Sequence, residues 1–577
     1  MKKGKEKSIS ESTRRNWSRL KTDPEGRLTS RANKRGSLKR ILPLEYLDDR
    51  RNASFIISAL EYIDDHDMDI ISAIYSLGTG LLRKAGLSGL PHVTEALRDY
   101  TYLSADEELA SMDIPEDEND ILGAVYQSYM REGKKNISGS YYTPLWIARY
   151  MTEDFDLSGG KTFLDPACGC GIFLLSVDTD EPENLWGTDV DRTAVLITRI
   201  NLLLKYRTRA FIPRVYCMDY LKGDFHPLFS ETFDFIATNP PWGAMEEAPW
   251  DACMITSGET FSYFFVRAYH YLKAGGSIRF LFPEAITNVK VHKDIRRFIL
   301  ENTELQSVTL FDRRFSGVST GSCSIWCRKG PASSFFTAVR GDERYIVDTR
   351  SVYETTGLVF NLLSPQELDI LNKAKARGRY DLKDSTWALG IVTGDNKKKL
   401  FTEALPGTEK IYTGKNIEAF SLTGQPKYIR YNRDELQQAA DDSIYRAPEK
   451  LIYKFISRYP VFAYDDTGDL FLNSANILIP DIPGMSLRTV MAFLNSSLYR
   501  FLYLKLFGEV KILKGNLSEL PFPEITEEDD RKLSALAERA MEGGAEALRD
   551  IDEYMAGLFG LSEEEAAYVE ETVRMAR

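Results

Sequence analysis

Residues 162–176 read TFLDPACGCGIFLLS, and this stretch decides the fold. An apolar run ends on Asp165, a turn of small residues follows at once, and a second apolar run begins at Ile172. Strand, tight loop and helix in that order are how a parallel α/β sheet presents ligand groups at the carboxyl ends of its strands. Working outward, LWGTDVD, VYCMDYL and FDFIATNPPW repeat the pattern of an apolar run closed by small or acidic residues. The intervals leave room for one helix between successive strands. Strands are expected near Thr162–Asp165, Leu185–Thr188, Arg214–Cys217, Phe233–Thr238 and Ser277–Phe282, with an antiparallel pair near Ser307–Phe311 and Ser322–Arg328. Helices are expected over Ile172–Val177, Thr193–Lys205, Phe261–Leu272 and His292–Glu301, with Gly275-Gly276 ending the third of these. The fold class is α/β, a doubly wound sheet.

At 577 residues the chain exceeds one ordinary domain. The spacing and composition suggest a basic arm over 1–40, a helical domain over 41–135, the α/β domain over 136–330, a connector with helical character over 331–380, a mixed domain over 381–525 and an acidic helical pair over 526–577. Net charge is −12, but residues 1–40 hold 14 Lys and Arg against 4 Asp and Glu, so the remainder carries −22. A basic arm on an acidic body can bind phosphate locally, and is as readily a solvated tail. No apolar run is long enough to span a bilayer, and MKKGKEKSISES has no apolar segment of a secretory signal. The six cysteines form no paired C-x2-C pattern, so no metal is expected and a reducing cytoplasm suits them.

Three acids stand at strand ends. Asp165 opens the turn Pro166-Ala167-Cys168-Gly169-Cys170-Gly171, where glycines let backbone approach a ligand. No third glycine completes G-x-G-x-x-G, so a nicotinamide dinucleotide is not favoured. Asp189, 24 residues on, could accept from both hydroxyls of a ribose. Asp219 could accept from an amino group of an adenine. Taken singly, each is as readily a cap or turn residue; three in succession suggest a nucleoside ligand. Upstream, Thr143-Pro144 in GSYYTPLWIARY reads as a cap and first position of a helix whose free N–H groups could meet a carboxylate.

Asn239-Pro240-Pro241-Trp242 is the sharpest signal. Two prolines fix the backbone and leave the Pro240 carbonyl without a ladder partner. An asparagine oxygen and that carbonyl are two acceptors directed at one point, and the indole can stack on a flat ring. The pair suits an exocyclic amino group: accepting both its N–H bonds returns the nitrogen lone pair from ring conjugation. Alone the tetrapeptide would be a rigid turn; after the preceding strands it reads as a substrate site.

Together DPACGCG, GTDVD, MDYL, NPPW and GSYYTP resemble the S-adenosylmethionine-dependent N6-adenine DNA methyltransferases of the gamma arrangement, and residues 381–525 are similar to the TaqI-like C-terminal specificity domain. The resemblance implies a Rossmann-like S-adenosylmethionine-dependent methyltransferase core with an N-terminal helical domain and a C-terminal mixed α/β target-recognition domain. It implies that Tyr142, Thr143, Pro144, Asp165, Pro166, Ala167, Cys168, Gly169, Gly171, Asp189 and Asp219 bind S-adenosyl-L-methionine. Asn239, Pro240, Pro241 and Trp242 would be catalytic, holding an adenine flipped from double-stranded DNA, with Phe315 stacking on its other face and Phe311 the runner-up. Cys170 stands where the family commonly has serine, and Trp242 where tyrosine or phenylalanine is commoner. The expected activity is site-specific, adenine-specific DNA methylation, in a restriction-modification or phage-defence setting, in the cytoplasm. A separate restriction endonuclease is a possible partner, and a separate specificity subunit is not required. RNA adenine, a protein glutamine or mere DNA binding are the alternatives. Lys397, Lys398, Lys399, Lys415, Lys454 and Arg458 are candidates for touching DNA. Pro480-Asp481 and Glu509-Val510-Lys511 match a nuclease motif formally, but lie within the later domain and are read as coincidence.

Overall fold

The computed structural model describes residues 52–115, 120–130, 143–222, 228, 231–245, 248–249, 254–311, 321–355, 357–507 and 511–576. The chain divides into two compact units, Met1–Leu362 and Leu363–Arg577. Among the described residues no helix is long and apolar enough to cross a membrane.

The first unit is built on one nine-stranded sheet. Its strands are β1 (Phe163–Asp165), β2 (Leu185–Asp189), β3 (Arg214–Cys217), β4 (Phe233–Thr238), β5 (Leu272–Pro283), β6 (Glu304–Phe311), β7 (Ser322–Arg328), β8 (Phe335–Arg340) and β9 (Glu343–Asp348), in the order 3-2-1-4-5-7-6-8-9. Strands β1 to β5 are mutually parallel, and β7 is antiparallel to both β5 and β6. The winding reverses between β1 and β4, so their carboxyl ends flank the crevice in which open α/β sheets bind ligands. β1 is buried throughout, as a central strand covered on both faces must be.

The positions of these strands match the expected ones closely, with two departures. Strand β5 begins at Leu272, before Gly275-Gly276, so the glycines do not end a helix. They lie in a break of register where Phe233 faces Leu272 but Phe235 faces Ser277. Gly275 has φ +73°, and its N–H donates to the Lys329 carbonyl at 2.8 Å. Residues 335–348, assigned from sequence to a helical connector, instead form the hairpin β8–β9, turning at Gly341 with φ +58°. Their alternating Phe, Val and Ile residues fit a half-buried ladder better than a helix.

Helices α1 (Ala53–Asp65), α2 (Ile70–Lys84) and α3 (Ile121–Tyr129) precede the sheet, and α4 (Leu145–Thr152) leads into it. Helix α5 (Ile172–Ser176) follows β1, and α6 (Arg192–Lys205) follows β2. A Cβ at Gly78 of α2 would stand 2.4 Å from Ile200 Cδ1 of α6, so this glycine lets the two helices approach closely. Asp120 caps α3 through the Gly123 N–H at 2.7 Å and also accepts from the Asn201 amide of α6 at 2.6 Å. The helical segment is thereby fastened to the helix that follows the second acidic strand end.

The second unit holds two four-stranded sheets. One orders Thr386–Ala388, Ala475–Ile479, Lys450–Lys454 and Phe462–Asp465; the other orders Leu400–Phe401, Lys427–Ile429, Glu409–Tyr412 and Leu470–Phe471. Lys450 and Asp465, both fully buried, form an ion pair inside the first. Residues 526–577, expected as a helical pair, contain three helices: Glu527–Met541, Ala545–Phe559 and Glu563–Met575. The middle one buries Ile551, Met555 and Phe559 in the core, a spacing of four that the acidic composition around it obscures.

Candidate active site

The β1–α5 loop is held by Thr188 of the neighbouring strand β2. The Cys168 N–H donates to the Thr188 carbonyl at 2.8 Å, and the Thr188 hydroxyl donates to the Pro166 carbonyl at 2.8 Å. Gly169 has φ +50°, and a Cβ there would meet no atom within 4 Å. The loop is therefore left-handed at a point that faces open space, where a ligand can approach bare backbone. Gly171, at φ +93°, is needed for a different reason: a Cβ would lie 2.8 Å from Thr198 Cγ2 of α6. The Thr198 hydroxyl also donates to the Gly169 carbonyl at 2.8 Å, so α6 braces the loop from behind. Cys168 and Cys170 are buried, and burial pushes both thiols well above their ordinary range. They act as small apolar residues. Cys170 packs toward Gly123 of α3, where a Cβ would come within 3.1 Å of the cysteine Cβ.

The three strand-end acids differ sharply. Asp165 is fully buried; its Oδ1 accepts from the Ala167 N–H at 3.1 Å, and the Thr238 hydroxyl also acts on the carboxyl. Burial pushes this carboxyl up to about 7, with Thr238 and the Ala167 N–H opposing the shift and the charge of Asp189 adding to it. Asp189 accepts from the Gly169 N–H at 2.9 Å on Oδ2 and from the Asp191 N–H at 2.8 Å on Oδ1. Burial raises it too, against those same N–H groups. A carboxylate has about four lone-pair sites, so two remain for a ligand. Asp219 is partly exposed, caps its own turn through the Leu221 N–H at 3.0 Å and pairs with Lys222 at 3.4 Å.

Asn239 follows β4 directly, across the crevice from Asp165. Its Nδ2 donates to the Thr143 hydroxyl oxygen at 3.1 Å. This corrects the sequence reading of Thr143 as a helix cap. Pro144 is the cap residue of α4, its carbonyl accepting from Ile147 and Ala148 at 3.0 and 3.2 Å, and no side chain caps the helix. With φ −59° and ψ 142°, Pro144 is extended rather than helical. Thr143 is buried and turned toward the β4 end instead. Pro240 is buried, and Trp242 is half-buried against apolar residues of both faces of the sheet. The Gly243 carbonyl beyond it accepts from both the N–H and the hydroxyl of Thr260, at 2.8 and 2.7 Å, which ties the end of the Asn-Pro-Pro-Trp turn to the next helix.

Phe311 stands at the end of β6 with its ring edge-to-face against Trp146 and Tyr150, both at 5.5 Å between centroids, and is buried. Its packing partners are already in place. Phe315 and Tyr142 lie outside the described residues. Lys397, Lys398 and Lys415 are exposed, Lys399 is committed to the Glu435 carbonyl, Lys454 is half-buried in a strand, and Arg458 donates to the Ala576 carbonyl at 3.4 Å.

Asp191 was missed by sequence reasoning. Its N–H orients Asp189, its Oδ1 caps α6 through Thr193 and Ala194, and its Oδ2 accepts from the Tyr126 hydroxyl of α3. An aspartate directly before a helical run is the signal that was available. Tyr126 offered none, because its partner lies 65 residues away.

The bare backbone at Gly169 and the spare acceptors of Asp189 fit a nucleoside cofactor with an amino acid tail. Sheet order and site define a Rossmann-like S-adenosylmethionine-dependent methyltransferase.

Residues 117–383 match the family model described as N-6 DNA Methylase, and residues 409–522 match that of the TaqI-like C-terminal specificity domain. The chain thus resembles an N-6 DNA methylase joined to a TaqI-like specificity domain. It is similar to the type II methyltransferase M.VspI of Vibrio sp. (strain 343), 29% identical over 312 residues that make up 51% of this chain and 74% of that protein. It is also similar to the type I restriction enzyme MjaIX methylase subunit of Methanocaldococcus jannaschii, 24% identical over 60% of this chain and 64% of the relative. Among solved structures, the type IIL restriction-modification enzyme MmeI in complex with DNA matches with a TM-score of 0.54 at 13% identity, covering 93% of this chain and 94% of that one. That last likeness speaks for the fold alone.

Proposed function

We propose that this chain is a site-specific DNA methyltransferase that places a methyl group on N6 of an adenine turned out of duplex DNA. The observation that carries the adenine reading is Asn239-Pro240-Pro241-Trp242 at the carboxyl end of β4, beside the Asp165 end of β1. Asn239 Oδ1 and the Pro240 carbonyl accept the two N–H bonds of the amino group. Both acceptors are set by a rigid turn, so little reorganisation is needed when the base arrives. Their pull leaves the nitrogen lone pair more localised and nucleophilic, and Trp242 stacks on the ring. S-adenosyl-L-methionine, when bound, supplies a methyl group on a positively charged sulfur. Asp189 holds its ribose, Asp219 its adenine, and Asp165, Gly169 and Gly171 shape the pocket for the rest. Most of the acceleration comes from placing the nitrogen in line with the methyl carbon.

The base must first leave the stack, at a cost of a few kcal/mol. Phosphate contacts hold the duplex and base-edge contacts choose the sequence. The TaqI-like domain supplies the latter, so no separate specificity subunit is required. The similarity to restriction-modification methyltransferases favours such a system as the setting, and it does not favour RNA or protein glutamine as substrate.

The test is single-molecule modification sequencing of DNA from a methylation-free bacterial host expressing this chain, beside Asn239→Ala. N6-methyladenine in one short motif, lost in the variant, is the expected result. A soluble protein that binds S-adenosylmethionine but marks no adenine would overturn the proposal.

A further inference from the structure

Thr143 and Asn239 are 96 residues apart and meet at the centre of the site. Asn239 sits at the end of β4, and Thr143 immediately before α4, on a segment with no ladder of its own. Thr143 is 4% exposed, so its end of the hydrogen bond is sheltered from water. Its hydroxyl oxygen accepts from Asn239 Nδ2 rather than serving the helix that starts two residues later.

The chemistry of an amide makes this contact directional. An amide is planar, with the acceptor oxygen and the donor nitrogen on opposite corners. A substrate amino group offers only donors through its N–H bonds, so Oδ1 must be the end that meets it. Nδ2 then points away, into protein, and needs a buried acceptor. Thr143 is that acceptor. A hydroxyl could also donate to Oδ1 if the amide were reversed, but the reversed amide would face an amino group with N–H against N–H. With a base in place, one orientation alone satisfies both neighbours. We infer that Thr143 is a positioning residue: its hydroxyl locks the Asn239 amide with Oδ1 toward the substrate amino group.

This gives Thr143 a role on the nucleobase side of the crevice, beside the cofactor contact that the family resemblance implies for it. It rests on the methyltransferase reading above. The two can fail separately, because one concerns whether Asn239 serves an adenine and the other what holds Asn239.

The experiment compares Thr143→Val, which keeps the volume and removes the hydroxyl, with Thr143→Ser, which keeps it. The full chain is used, with tritiated S-adenosylmethionine and genomic DNA from a methylation-free host as substrates. Without the Thr143 hydroxyl the amide loses the bond that fixes its orientation, a loss that corresponds to about 10- to 100-fold in single-turnover rate. Thr143→Val should lose that much, with cofactor affinity by calorimetry within about 3-fold of wild type, and Thr143→Ser should recover most of the loss. Thr143→Ala, with a thermal melt beside it, repeats the test should the valine variant not fold. Three results would overturn the inference: full turnover in Thr143→Val, a loss that resides in cofactor affinity with the rate unchanged, or a serine variant as slow as valine. Should Asn239→Ala be inactive while Thr143→Val is not, the methyltransferase reading stands and only the positioning role falls. A wild-type protein that transfers no methyl group to adenine overturns both.

Discussion

Asp165 and Asp219 occupy equivalent places, each at or just beyond the carboxyl end of a parallel strand, yet they are opposite kinds of carboxyl group. Asp165 ends the central strand β1, has no contact with solvent and is pushed up to about 7 by burial. Asp219 lies beyond β3, the outermost of the parallel strands, where it caps a turn and pairs with Lys222 in water. Asp189, on β2 between them, is partly buried and held by two backbone N–H groups. Strand order alone grades the three: the nearer the switch point, the drier the acid. A dry acid tunes the shape and charge of a pocket, whereas a wet one can at most add a screened contact.

This gradient can be broken or sharpened in four steps. The largest effect lies across the crevice: Asn239→Ala should reduce the rate of methyl transfer by about 100- to 1000-fold, the loss typical of a preorganised polar group at a reacting centre, in a single-turnover assay. Next, Asp189→Ala should weaken cofactor binding about 10- to 100-fold by calorimetry, since an oriented, partly buried acceptor is removed while its two N–H donors stay behind.

Third, Asp165 should impose an inverted pH dependence on stability. Its folded carboxyl keeps its proton up to about 7, while the unfolded chain releases it near the ordinary value of about 4. The folded state therefore binds more protons across that window, and stability falls as pH rises through it. Asp165→Asn should remove the fall, leaving the cofactor-free variant about 1–3 kcal/mol more stable than wild type at about pH 8 and equal to it below about pH 4, by urea denaturation. A wild-type protein whose stability rises over that range would show that the β1 end is wet. The smallest effect belongs to Asp219→Ala, about 3- to 10-fold in cofactor affinity and shrinking with salt, as expected of an exposed group. A salt-independent loss as large as that of Asp189→Ala would erase the gradient.

The sheet was legible in the sequence because a parallel strand, buried on both faces, is written as an unbroken apolar run ending in a turn. The acids and Asn-Pro-Pro-Trp could be placed for the same reason. The structure changed what depends on distant partners. Thr143-Pro144 carries the local signature of a cap, but Asn239 competes for the hydroxyl and wins. Phe311 looked available in sequence, and Trp146 and Tyr150 take up its ring. Tyr126 and Asp191 meet over 65 residues, which no local pattern records. The hairpin β8–β9 went unread because its short strands fall between a sheet and a helix with stronger signals.

The place of β1 in the sheet also has a consequence for how the chain is made. β1 pairs with β2 22 residues further on, but with β4 only after 72, as Phe163 opposite Leu185 and Phe235 shows. A ribosome adding about 5–20 residues per second therefore leaves the inner edge of β1 unpaired for roughly 4–14 seconds. During that interval a strand that the finished sheet buries throughout presents a row of open N–H and C=O groups, a template for any passing strand. The latch that ends it is Asp234, which arrives with β4 and accepts from both the N–H and the hydroxyl of Thr162 at 2.9 and 3.0 Å, with Lys273 joining at 2.7 Å. Nascent chains halted before residue 233 keep that edge of β1 open.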